Sequence, residues 1–87
     1  MSVIKKKIWP ENFEEVASGK KNFEVRLNDF DISEGDTLIL EEWNPTEKAY
    51  TGRTIEKKVT YVKKLTIDSF GQGKEIIEKG FQVISIE

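Results

Sequence analysis

Apolar and polar residues alternate most regularly in NFEVRL: Phe23, Val25 and Leu27 point one way along an extended chain, and Asn22, Glu24 and Arg26 the other. The same period predicts a strand over residues 2–9 (SVIKKKIW), with Ile4, Lys6 and Ile8 on one face and Val3, Lys5 and Lys7 on its reverse. Between these strands the period changes. Phe13, Val16 and Ala17 recur at helical spacing, Pro10 suits the first turn, Glu11, Glu14 and Glu15 complement the helix dipole, and Gly19 supplies a left-handed stop. The spacing therefore predicts a short helix from Pro10 to Ser18. Asp29, Asp31, Ser33 and Gly35-Asp36 form a polar turn region, followed by a strand in TLILEEW and a Pro45 turn in NPTEK. Tyr50 to Leu65 reads as a longer strand kinked near Thr51-Gly52, with Ile55, Val59 and Tyr61 facing inward. FQVISIE reads as a closing strand. In residues 66–80, the glycines at 71, 73 and 80 indicate loop while KEIIEK admits one helical turn.

About five strands with one or two short helices predict a mainly β chain. A small antiparallel barrel, closed or partly closed, suits it because closure removes exposed strand edges. With 87 residues the chain has room for one core, and residues 1–87 are read as a single domain. The pattern alone fits OB-like and SH3-like barrels equally well.

Composition narrows the chemistry more than the fold. With no cysteine there is no disulfide, thiolate nucleophile or zinc ribbon; with no histidine there is no imidazole base. The expected cofactor and metal content is none. Any catalysis falls to carboxylates, lysines, arginines, tyrosines or hydroxyls. Net charge is −2, unlike the basic balance of a general nucleic-acid coat. Apolar runs fall far short of the ~20 residues that span a bilayer, and no apolar signal stretch follows the N-terminal lysines, so a soluble, cytoplasmic protein is expected.

The densest chemistry lies in Gly19-Lys20-Lys21-Asn22-Phe23-Glu24-Val25-Arg26, where the helix end meets the alternating strand. Glu24 and Arg26 share one strand face, with Lys21 close by. If Phe23 and Val25 face the core, these charges face solvent as an ordinary ion pair, worth about 0–1 kcal/mol. Alternatively they line a cleft beside the helix. There a Lys and an Arg can grip a phosphate or carboxylate, while Glu24 orients them or reads a base amine.

Gly19, Lys21, Glu24 and Arg26 spell G-x-K-x-x-E-x-R, which resembles the signature of the ASCH domain, named for homology to activating signal cointegrator, in the PUA-like superfamily. Ile8-Trp9-Pro10 with Phe13, Asn28-Asp29, Gly35-Asp36, Leu38, Glu42-Trp43, Tyr50-Thr51-Gly52, Val59, Tyr61 and the Val83–Ile86 strand extend the resemblance over nearly the whole chain, toward a compact bacterial and phage subgroup of uncharacterised ASCH-like proteins. The resemblance implies a PUA-like β-barrel with a cleft beside the first helix. It also implies RNA as a partner, the activity generally proposed for ASCH domains. Some relatives of that kind hydrolyse the acyl amide of N4-acylated cytidine, their motif lysine acting with a threonine where this chain has Glu24. A glutamate cannot supply that hydroxyl, so Lys21 and Glu24 are read first as a binding or orienting pair and second as catalytic candidates.

The expected ligand set is Trp9, Gly19, Lys20, Lys21, Glu24 and Arg26, with Trp9 as a stacking platform for an unpaired base. The expected partner is RNA, a nucleotide or a nucleoside, with no membrane; the chain is expected as a monomer or a weak homodimer pairing through an edge strand. The other two readings are a metal-free amidohydrolase and a protein-interaction module. Trp43, Tyr50 and Tyr61 read as packing, and Gly71-Gln72-Gly73-Lys74 lacks the full phosphate-loop pattern. Glu41 and Glu42 point to opposite faces unless a bulge intervenes.

Overall fold

The computed structural model describes residues 1–65 and 80–87. The loop and helical turn expected in residues 66–79 lie outside the described residues. In chain order the elements are β1 (Val3–Ile8), α1 (Pro10–Ala17), β2 (Phe23–Leu27), β3 (Thr37–Asn44), β4 (Ala49–Leu65) and β5 (Phe81–Ile86). The mainly β reading with a short early helix holds, and the predicted strands fall where the alternation placed them.

The five strands form one mixed sheet in the order β1-β3-β4-β5-β2. β1 runs parallel to β3, while β3–β4, β4–β5 and β5–β2 are antiparallel. The inward face collects Ile8, Leu38, Leu40, Val59, Ile84 and Ile86, and α1 adds Phe13 and Val16. Asp36 ties the start of the chain to the turn before β3, accepting N–H bonds from Ser2 (2.8 Å) and Ser33 (2.9 Å).

The expected barrel closure is not present. β1 and β2 end the strand order and make no ladder with each other among the described residues. Their directions are opposed, because β1 and β3 run together and each of the next three ladders reverses direction. One side chain crosses the gap: Arg26 Nη2 donates to the Lys7 carbonyl at 3.0 Å. The β1–β2 connection carries α1, and side chains from Trp9, Asn12 and Arg26 stand in the seam that a ladder would otherwise occupy.

β2 alternates as predicted, and of the two orientations left open it takes the one with the charged face at the cleft: Glu24 is buried (3% exposed), while Phe23 and Val25 are about half exposed (43% and 51%). The interior is already filled by residues of β3, β4, β5 and α1, so the short β2 strand presents its charged face inward, at the seam. Tyr61 faces out rather than in. A bulge between Val59 and Tyr61 inserts one residue on β4 against β5 and reverses the alternation, leaving Val59 fully buried.

Candidate functional site

The seam between β1, α1 and β2 is a cleft of about 410 Å³. Trp9, Asn12, Lys21, Glu24, Val25 and Arg26 supply most of its wall. Each is placed by a local feature. Trp9 is the extended residue that caps α1 without a side-chain hydrogen bond, and half of its surface stays exposed. Gly19 adopts φ +83, which reverses the chain after the Ser18 cap; Lys21 N–H then donates to Glu15 C=O at 3.0 Å. That reversal sets Lys21 over the beginning of β2.

Glu24 is the centre of the site. Its Oε2 accepts from Arg26 Nε (2.9 Å) and faces Arg26 Nη2 at 2.8 Å. Its Oε1 lies 3.3 Å from Lys21 Nζ, an ionic contact without hydrogen-bond alignment, and is buried with no hydrogen-bond partner among the described residues. A buried carboxylate oxygen in that condition is costly unless something donates to it. The two cations keep some exposure, 21% for the Lys21 side chain and 26% for Arg26. The site therefore holds one buried acceptor without a hydrogen bond, flanked by two partly exposed cations, with an indole on the same cleft wall.

The structure brings together Trp9, Lys21, Glu24 and Arg26. It does not bring Gly19 or Lys20 to the wall: Gly19 acts through its turn, and the Lys20 side chain is exposed. Asn12 and the Lys7 carbonyl belong to the cleft and were not anticipated. Helical spacing gave the face of α1 that packs, and no sequence signal marked its end as a wall.

Two open strand edges also face this cleft. Ile86 N–H donates to Asn22 C=O (2.9 Å), Asn28 N–H donates to Gly80 C=O (3.0 Å), and the β2–β5 register between them is unbroken. Antiparallel alternation then directs the main-chain groups of Glu24 and Arg26 to β5 and those of Phe23, Val25 and Leu27 to the open edge. On β1, Thr37 N–H donates to Ser2 C=O (2.9 Å), so Ile4, Lys6 and Ile8 serve β3 while Lys5 and Lys7 face outward, in agreement with the Arg26 bond to Lys7.

A second charged cluster braces the helix. Between the Glu41↔Thr54 and Trp43↔Tyr50 pairs, Thr51, Gly52 and Arg53 oppose the single residue Glu42, and Gly52 takes φ +95. This bulge is the kink expected at Thr51-Gly52. It folds Thr51 Oγ1 (2.6 Å) and Arg53 Nε (2.8 Å) onto Glu42 Oε1, and Arg53 Nη2 (2.7 Å) onto Oε2. Arg53 also donates to Glu14 of α1, and its guanidinium stands 4.6 Å from the Phe13 ring centre. The Arg53 hydrogen bonds first, then the Thr51 hydroxyl, hold the Glu42 carboxyl down at about 2; Glu42 and Glu14 in turn raise Arg53 further. Between the neighbouring strands β1 and β3, Lys7 Nζ lies 3.9 Å from the Trp43 ring, which meets Tyr50 edge-on at 5.0 Å. Trp43 and Tyr50 are thus engaged with each other and with Lys7.

No helix among the described residues is long and apolar enough to cross a membrane, and no group of three or more acidic residues there is placed to hold a metal ion. A curated protein of Escherichia phage P2, "Uncharacterized 12.9 kDa protein in GpA 3'region", is 40% identical over 60 residues, which cover 69% of this chain and 53% of the phage protein. The chain thus spans about half the length of the curated relative it matches. Residues 4–86 match the family described as "Domain of unknown function (DUF3850)". Because that match runs from β1 through β5, Glu24 and its cleft included, the chain belongs to the DUF3850 family.

Proposed function

We propose that the seam cleft binds an unpaired nucleobase of a single-stranded RNA or a nucleotide, in an ASCH-like, PUA-like domain whose barrel is left open at the binding side. The observation that carries this reading is the buried Glu24 carboxylate, held between Lys21 and Arg26 with one oxygen lacking a donor. A base amine or imino N–H would complete it, and Lys21 and Arg26 stand ready for a base carbonyl or a phosphate. Trp9 supplies a half-exposed indole on the same wall, and stacking on it is worth about 1–3 kcal/mol. With two cations in reach of phosphate, the salt slope for a single strand is about −1.4.

The test is fluorescence anisotropy of a labelled RNA hexamer with duplex and DNA controls, comparing wild type with Lys21→Ala, Glu24→Gln and Arg26→Ala at two salt concentrations. Selective binding of the single strand, lost in all three variants with the fold intact by circular dichroism, supports the reading. Binding indifferent to the three substitutions, or a slope like that of six phosphate contacts, refutes it. The amidohydrolase reading draws on the same pair, with Glu24 Oε1 as a base and Lys21 as its electrostatic partner. It requires turnover of N4-acetylcytidine that Glu24→Gln abolishes.

A further inference from the structure

The motif side chains largely satisfy one another. Arg26 spends Nε and Nη2 on Glu24 and reaches the Lys7 carbonyl, while Lys21 is paired to Glu24. These groups attract a ligand and hold it but leave few directions free for discrimination. The open edge of β2 differs. Val25 lines the cleft, and its N–H and C=O point away from β5, with no strand opposite to take them. A main-chain donor and acceptor side by side cannot be silenced by an ion pair, and they demand an acceptor and a donor side by side in return.

We infer that the open-edge main chain of Val25 is the specificity-determining element of the cleft: its N–H and C=O hydrogen-bond the donor–acceptor edge of a planar base standing in the seam between β1 and β2. This rests on the nucleobase reading above and adds which groups read the base. Arg26 Nη2 already reaches the Lys7 carbonyl across this seam at 3.0 Å, so the outward main chain of β1 offers a hydrogen-bonding group opposite that of β2. The base takes the position of the missing strand contact, with Glu24 Oε1 receiving one further N–H from it.

The experiment uses isothermal titration calorimetry with the four nucleoside 5′-monophosphates, then the tightest of them methylated on its pairing edge, at N3 for a pyrimidine or N1 for a purine. Two variants of the full chain remove the Val25 N–H. One is Val25→Pro, tolerated on an edge strand whose N–H faces away from the sheet. The other is a synthetic chain with the amide at Val25 replaced by an ester, which leaves the side chain in place. Each variant and the methylated nucleotide are expected to bind about tenfold more weakly, the loss of one well-placed hydrogen bond with its desolvated partner left unpaired. Unchanged affinity in the ester chain, with binding still lost in Glu24→Gln, overturns the main-chain role and leaves the nucleobase reading standing. Failure of wild type to bind any of the four nucleotides or the RNA hexamer overturns both.

Discussion

Glu24→Gln tests whether the centre of the cleft is an ionic clamp. The substitution keeps shape and one acceptor oxygen but removes the charge. In the native arrangement one carboxylate oxygen faces two guanidinium nitrogens at 2.8–2.9 Å, and the other faces an ammonium at 3.3 Å. Stripping one partner from a fully buried ion pair costs about 3–5 kcal/mol, because a charge is stranded. Here the stranded groups are cations with 21% and 26% side-chain exposure, and the Arg26 bond to Lys7 persists. Water can recover part of that cost, so the expected loss is about 1–2 kcal/mol. For an 87-residue domain this lowers Tm by about 5–15 °C. Urea and thermal denaturation followed by circular dichroism measure it. The loss should persist in 0.5 M salt, since a carboxylate with a 4% exposed side chain is poorly screened. A Glu24→Gln protein that melts within 2 °C of wild type would refute the clamp; the carboxylate would then contribute to ligand binding and little to the fold.

Other expectations concern the fold around the cleft. The Glu42 carboxyl is held from its ordinary 4.5 down to about 2, so the stability it contributes is complete above about pH 4.5 and is lost as pH falls toward 2; Asp36, lowered by the N–H groups of Ser2 and Ser33, likewise loses its contribution as pH falls. Arg53→Met should flatten that acid limb in denaturation measured from pH 6 to 2. Gly52→Ala meets no atom within 4 Å but forces a side chain onto φ +95, and should cost about 1–2 kcal/mol in urea denaturation. Leu40→Ala removes a side chain with no exposure from the middle of β3 and should cost about 2–5 kcal/mol by the same assay.

The legible part of the molecule was the part governed by local period. Alternation located β1, β2, β3 and β5, and the i, i+3 spacing of Phe13 and Val16 located α1 with its buried face. The motif also marked where Lys21, Glu24 and Arg26 meet. Phase was not legible: FEVRL alternates equally well either way up, and only the filling of the core by Leu38, Leu40, Val59 and Ile84 turns Glu24 inward. Tyr61 was misplaced for a related reason, since one inserted residue at a bulge reverses every later position. The Glu42–Arg53 pair depends on three residues opposing one, a register no pairing rule supplies. Openness of the barrel is likewise a property of two strands brought together in space, and the strand count was equally compatible with closure.

β2 has a single ladder partner, and that partner is distant: Phe23 meets Ser85 and Leu27 meets Phe81, more than fifty residues further along the chain. By contrast, β3 and β4 are joined by a tight hairpin in which Asn44 Oδ1 accepts from the N–H groups of Thr46 (2.9 Å) and Glu47 (3.1 Å). Closing a long loop costs entropy before its contacts repay it, so the hairpin orders early and β2 docks late. The ladder that holds Glu24 in its buried position requires β5 to have been synthesised. A buried Glu24 therefore reports a finished molecule, and a chain stopped before Phe81 would lack the partner strand that positions it.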